Sequence, residues 1–336
     1  MKALVTGGAG FLGSHLSERL VSNGHDVICL DDLSTGEARN IADLVAQPRF
    51  AFIRGSILDR ELVNDLVARV DTVFHLAAAV GVQLILDRPL DALRTNIHGT
   101  EILLDSAHRH GARVLVASTS EVYGKSPAAA LVENADRVVG SPLTTRWSYA
   151  EAKALDETLT YLYWHDYGMP TVITRLFNVA GPRQTGRYGM VLPRFVDQAL
   201  RNEPVTVFGD GRQTRCFCHV TDAADALAAL IDEPAAYGEV FNIGRPDEIT
   251  ITDLAERVIA LSGSTSSIRY VPYHEAYGDG YEDMRRRVPD ISYARAVIGF
   301  EPKLGLDEII MSVIEDRRAR RAAESPVRAT EAQYVR

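Results

Sequence analysis

An α/β fold, a doubly wound parallel sheet with helices on both faces, is predicted by three observations in this 336-residue sequence. Short apolar runs alternate with amphipathic stretches through the first half. The runs are apolar enough to be buried on both faces, as parallel strands are. A glycine-rich turn, Gly7-Gly8-Ala9-Gly10-Phe11-Leu12-Gly13, leaves the first run and opens the first amphipathic stretch.

Taken in order, Ala3-Leu4-Val5-Thr6 is the first buried strand, and 11–23 reads as a helix. Strands are expected at 26–30 and 50–54, a helix at 57–68, and a strand at Thr72-Val73-Phe74-His75-Leu76. A long helix covers 89–110 and a strand 113–118. A second long helix at 148–167 leads to a strand at 171–175. After about residue 178 the pattern loosens, with proline and glycine punctuating 181–186 and 204–212. Helices fit 193–201, 222–230, 251–261 and 306–320. The expected division is a nucleotide-binding Rossmann-type domain over 1–178 and a smaller α/β lobe over 179–321. Some of the chain crosses between them, and a mobile tail is expected from 322 to 336.

Composition narrows the function. Lys and Arg total 36 against 45 Asp and Glu, a net charge of −9, which argues against a general nucleic-acid role. Cys29, Cys216 and Cys218 read as reduced thiols, with neither a disulfide framework nor a metal site. A lone Lys2 precedes the glycine turn, and no apolar run reaches membrane-spanning length. A cytoplasmic protein without a membrane partner is expected.

The glycine turn lies where a dinucleotide needs it, between a strand and a helix. Gly7 permits the tight turn, Gly10 lets the backbone approach a pyrophosphate, and Gly13 allows close helix packing. Phe11 and Leu12 carry the turn into the helix N-terminus, which faces phosphates. Eighteen residues past Gly13 stand Asp31 and Asp32. A carboxylate there accepts from an adenosine ribose and repels a 2′-phosphate, favouring NAD over NADP. Leu76-Ala77-Ala78 gives a small-residue strand end along which a cofactor can lie. Asn96, on the next helix, can tie that strand to its neighbour. His75 is equally readable as a core histidine and as a functional one.

The chemistry sits further on. Tyr149-Ala150-Glu151-Ala152-Lys153 puts a phenol and an ammonium on one helical face, since residues four apart are neighbours. An ammonium beside a phenol favours the phenolate, making Tyr149 a base near neutral pH. The strand at 113–118 delivers Thr119-Ser120-Glu121 to the sheet's carboxyl edge, where ligands of α/β sheets bind.

With these residues the chain resembles the extended short-chain dehydrogenase/reductases, in the nucleotide-sugar epimerase, dehydratase and decarboxylase group. Further matches are Arg175-Leu176-Phe177-Asn178, Gly181-Pro182-Arg183 and Arg287-Val288-Pro289-Asp290. The resemblance implies bound, recycled NAD, with Tyr149 as base and Lys153 holding the nicotinamide ribose. Thr119 or Ser120 orients the sugar hydroxyl. Ser56 and Ile57 would flank the adenine, Ser56 departing from the aspartate often found there. Phe177 joins the cofactor set. Asn178, Val207, Arg212, Arg215 and Arg287 are the expected contacts to a UDP-linked sugar; arginine suits its diphosphate.

Within the group, Thr119-Ser120-Glu121 together with Gln213-Thr214-Arg215 resembles UDP-glucuronate decarboxylases. Hexose 4,6-dehydratases tend to carry aspartate where Ser120 stands. The implied reaction oxidises C4, loses carbon dioxide from the β-keto acid, and protonates C5, with Glu121 and Arg215 nearby. Tyr-Ala-Glu-Ala-Lys departs from the Tyr-Asp-Glu-Gly-Lys or Tyr-Ser-Val-Ser-Lys of such enzymes. A UDP-sugar 4-epimerase is the alternative, and a non-catalytic NAD-binding sensor a remote one. The resemblance also implies a homodimer through the helices at 89–110 and 148–167.

Overall fold

The computed structural model describes residues 1–80, 88–186, 189–277 and 282–331. Its strands are β1 (Lys2–Thr6), β2 (Asp26–Asp31), β3 (Phe50–Arg54), β4 (Thr72–His75), β5 (Arg113–Thr119), β6 (Thr171–Leu176), β7 (Val179–Ala180), β8 (Val205–Phe208), β9 (Thr214–Cys216), β10 (Cys218–His219), β11 (Glu239–Ile243), β12 (Glu248–Thr250) and β13 (Ile268–Val271). Seven form one sheet in the order β3-β2-β1-β4-β5-β6-β11. Every neighbouring pair in it is parallel. The order reverses beside β1, which pairs with β2 on one side and β4 on the other. That reversal opens a crevice at the strands' carboxyl ends.

Alternate residues of the central strands fill two cores, as a sheet covered on both faces requires. Ala3 and Val5 pack with Leu16, Leu20, Leu227, Leu230 and Phe241 on one face. Leu4 packs with Val73, Val114, Val116, Leu103 and Leu104 on the other. Two long helices, Pro89–His110 and Ser148–Tyr167, lie against each other. Proline starts the first, and each stops at a left-handed glycine, Gly111 at φ 70° and Gly168 at φ 67°. A separate core gathers Leu192, Phe195, Val205, Val207, Leu254, Val258, Ile310 and Ile314.

Three expectations change. The helix expected from 57 begins at Arg60, because Asp59 caps it by accepting from Leu62 N. The helix Val220–Ile231 and strand β11 lie beyond residue 178 yet complete the first core and the seven-stranded sheet. The last helix runs Leu306–Glu331, past residue 322 where a tail was expected. Its alanine, arginine and glutamate are strong helix formers, so a composition that reads as a tail also suits a helix. The expected tail's last five residues, 332–336, lie outside the described residues.

Candidate active site

The glycine turn meets the crevice at close range. Gly7 takes φ 69°, and a Cβ there would stand 2.8 Å from Ala77 N. A Cβ on Gly13 would stand 2.2 Å from the Gly7 carbonyl oxygen. These contacts leave no room for a side chain, so backbone lines the cavity where phosphates would approach. Asp31 braces the turn: Ala9 N donates to its Oδ2 at 3.0 Å, and Leu33 N to Oδ1 at 2.8 Å.

A cavity of about 510 Å³ runs from this turn along the crevice. Gly7, Gly10, Phe11, Leu12 and Gly13 line one end, with Asp31, Asp32, Ser56 and Ile57 beside them. Leu76, Ala77 and Ala78 form its floor, and Tyr149 and Lys153 stand in the same wall. A backbone cradle, two carboxylates at the end of β2 and a phenol together fit a dinucleotide lying across the switch point. Arg183, Gln184, Thr185 and Met190 also line it, from beyond β6.

His75 ties β1 to the first long helix. Its Nδ1 meets Thr6 Oγ1 at 2.8 Å and its Nε2 meets Thr100 Oγ1 at 3.1 Å. Burial first, then the Lys153 charge, pushes its pKa down to about 3, so the ring stays neutral. Asn96 accepts from Ala79 N at 2.8 Å and donates to Ala79 O at 3.3 Å. It pins the end of β4 from the side and does not line the large cavity.

Tyr149 and Lys153 are both buried on the helix Ser148–Tyr167. The lysine expected to favour the phenolate is engaged further along the same helix. Lys153 Nζ donates to Asp156 Oδ2 at 3.1 Å. Burial pushes the Tyr149 phenol up, and the charges of Glu121 and Asp156 push it further. Below them, Ser118 Oγ donates to Glu157, which Arg175 grips through two donors at 3.0 and 2.7 Å. Thr119 is the cap of the short turn Ser120–Tyr123, accepting from Glu121 N at 3.2 Å. Ser120 is buried beside it, and neither lines the large cavity.

A second set of charges gathers beyond that turn. Arg146 donates to Glu121 Oε2 at 2.6 Å, and Arg287 Nη1 stands 3.6 Å from Oε1. Arg215 binds Asp283 at 2.9 Å and donates to the carbonyls of Thr214 and Met284. Arg287 also donates to Asn178 Oδ1 at 3.0 Å. Burial pushes the Glu121 carboxyl up, but the charges of Arg146, Arg287 and Arg215 outweigh it and hold the acid below its ordinary range. Burial, then Arg215, lowers the Arg287 pKa to about 10. Its buried Nε has no hydrogen-bond partner among the described residues. Among the described residues the cluster brings together Arg146, Arg215, Arg287, Glu121 and Asp283.

Not every expected residue joins these sites. Phe177 packs with Val122, Tyr123, Leu131 and Ala154 in a small core, away from the cavity. Val207 is wholly buried in the second core; β8 alternates, so Thr206 and Phe208 take the other face. Arg212 is exposed, with its backbone N–H on Asp210. Of the Arg285–Arg287 run only Arg287 is buried; Arg285 pairs with Asp210 and Arg286 with Glu248 at the surface. Arg146, Asp156 and Asp283 were missed as site residues. Arg146 precedes Tyr149 by three residues and Asp156 follows Lys153 by three, a same-face spacing that could have flagged both. Asp283 sits in an aperiodic stretch with no such signal.

Fold and cavity define a dinucleotide-dependent enzyme with its chemistry at the carboxyl edge of a parallel sheet. Residues 3–244 match the model of the NAD dependent epimerase/dehydratase family. The chain is 39% identical over 315 residues to UDP-N-acetyl-alpha-D-glucosaminuronate decarboxylase of Bacillus cytotoxicus, covering 94% of this chain and 97% of that one. It is 37% identical over 320 residues to UDP-glucuronic acid decarboxylase 1 of Arabidopsis thaliana, covering 95% and 70%. Among solved structures, UDP-glucuronic acid 4-epimerase from Bacillus cereus, in complex with UDP-glucuronic acid and NAD, superposes with a TM-score of 0.85 at 30% identity, covering 95% and 99%. The chain belongs to the NAD dependent epimerase/dehydratase family. It is an NAD-dependent enzyme that modifies nucleotide sugars. No helix among the described residues is long and apolar enough to cross a membrane.

Proposed function

We propose that this enzyme decarboxylates a UDP-linked hexuronate, UDP-glucuronate to UDP-xylose being the leading case. The observation that carries the reading is the Glu121 cluster. Among the described residues, the buried Arg146, Arg215 and Arg287 gather round Glu121 and Asp283, and one buried donor of Arg287 has no hydrogen-bond partner. Buried guanidinium groups suit an anion, and a uronate brings a carboxylate beside the diphosphate, which a neutral hexose lacks. The carboxylate of a uronate supplies that anion.

When held by Gly7, Gly10, Gly13, Asp31 and Lys153, NAD would supply reversible hydride acceptance from the sugar's C4. Tyr149 accepts the C4 hydroxyl proton, leaving a ketone β to the C5 carboxylate. Carbon dioxide then departs with cleavage of the C5–C6 bond, and its electron pair remains as an enolate. The Arg215 and Arg287 guanidinium groups stabilise that charge, and a proton drawn from solvent past the ionised Glu121 carboxylate adds to C5 and completes the loss. Tyr149 returns its proton to the C4 oxygen. Asn178, Arg215 and Arg287 are assigned to the nucleotide-sugar side, and the lobe after residue 178 to the substrate.

A 4-epimerase that keeps the carboxylate is the second reading, favoured by the likeness to UDP-glucuronic acid 4-epimerase. The deciding experiment incubates the NAD-loaded protein with UDP-glucuronate, and separately with UDP-N-acetylglucosaminuronate, each labelled at C6. Released label with a pentose product supports decarboxylation. Retained label with inversion at C4 supports the epimerase. No conversion of either sugar sinks both uronate readings.

The protein is also proposed to pair as a cytoplasmic homodimer. Apolar and aromatic side chains lie exposed on the two long helices, Leu90 at 59% and Tyr167 at 62%, with Leu155, Tyr161 and Leu162 between. Sedimentation of the intact protein as a monomer at micromolar concentration would end that part of the proposal.

A further inference from the structure

Lys153 stands one helical turn after Tyr149, yet no hydrogen bond joins the two among the described residues. The ammonium instead meets Asp156, one further turn along the same face. Both members of this pair are out of water, at 2% and 0% exposure. The second oxygen of Asp156, Oδ1, is buried with no hydrogen bond of good geometry among the described residues.

The other charged and titratable groups around the pair are already balanced. Glu121, from the turn after β5, is held by Arg146. Glu157, on the same helix, is held by Arg175 from β6. His75, from β4, is buried between two threonine hydroxyls. Thr100, from the neighbouring long helix, gives its proton to the Asn96 carbonyl. Among the described residues the counter-charge of Asp156 is the Lys153 ammonium, and its own charge acts on the Tyr149 phenol.

We propose that Asp156 is a positioning residue for the proton-transfer pair: it competes with Tyr149 for the Lys153 ammonium, and so sets the pH at which the phenol becomes a base. The proposal rests on Tyr149 being the base, as proposed above, and not on which sugar is turned over. An ammonium shared with a carboxylate stabilises a nearby phenolate less than a free one does. Asp156 thus keeps the phenol protonated in the resting enzyme.

The test is the phenolate titration of the NAD-loaded protein, read by ultraviolet difference absorbance against Tyr149→Phe. Asp156→Asn should move the Tyr149 midpoint down by roughly one pH unit, with bound NAD retained. The acid limb of kcat/KM should move with it. An unchanged midpoint alongside a lower melting temperature would make Asp156 a packing residue and overturn the proposal. If the variant does not fold, carboxyl carbon NMR of the wild-type holoenzyme decides. Asp156 must be ionised across the working pH range, and a carboxyl protonated there refutes the competition. A shifted phenolate with an unshifted rate profile would instead refute Tyr149 as the base. The titration needs no substrate, so its result stands apart from the choice of sugar.

Discussion

Two regions of the molecule are built by different means. The nucleotide end is made of backbone: a glycine turn, a strand end of small residues, and Asp31 holding amide groups of the turn and of its own loop. Most of it comes from the first 80 residues, and its specificity is steric. The proposed sugar side is made of polar side chains, five of them charged, from separate stretches of the chain: Glu121, Arg146, Asn178, Arg215, Asp283 and Arg287. None is informative without the others. A common cofactor can be held by a local device, whereas the choice of substrate rests on long-range placement, which is easier to alter one side chain at a time.

Substitutions at each end sharpen that contrast. Tyr149→Phe, at the meeting point, should lower kcat by about 10³-fold, within the range of general-base catalysis, while NAD stays bound. Activity near wild type would remove Tyr149 from the mechanism. Gly13→Ala should abolish NAD retention, because its Cβ would stand 2.2 Å from the Gly7 carbonyl oxygen. Calorimetry showing unchanged NAD affinity would break the steric reading of that end.

At the other end, Glu121→Gln should leave NAD affinity intact and lower kcat by about 10²-fold. Release of carbon dioxide should fall more than the first appearance of NADH; equal losses would make Glu121 a positioning group only. The same variant carries a pH signature. The Glu121 carboxyl lies below its ordinary value of 4.5 in the folded protein, so its stabilising contribution is complete above that value. It disappears as pH falls through the lower folded value. Wild type should therefore lose more stability than Glu121→Gln on acidification, measured by denaturant unfolding. Parallel acid limbs would contradict the ion-pair cluster. Smallest is Asp31→Ala, which should reduce the preference for NAD over NADP by about tenfold; an unchanged preference would move that role to Asp32.

Much of the nucleotide end was legible because its signals are short-range. The glycine spacing, the acid at the end of β2 and the Tyr149–Lys153 interval each fall within one turn or one strand. The helix Pro89–His110 matched its expected limits, since proline and Gly111 mark its ends. The sugar end was half legible. Glu121 and Arg215 stood in recognisable motifs, but their partners Arg146 and Asp283 are fixed only by folding. The side chain of Val207 turns to the core, and a four-residue strand does not reveal which alternate pair does so. Phe177 also packs in a small core, at a strand end where two environments are one residue apart. The Lys153–Asp156 pair was hidden for a different reason, because an acid three residues after a lysine is ordinarily a solvated surface pair.

One connection affects how the protein could be divided. Strand β11 lies beside β6 and closes the seven-stranded sheet. A fragment ending at residue 178 would leave β6 as an open rim, a template for the backbone of any neighbouring chain. During synthesis that rim stays bare until Ile243 has emerged, so the nascent protein passes through an adhesive stage. Cutting after 244 instead of 178 would carry the sealing strand along, and the shorter fragment should precipitate where the longer one does not.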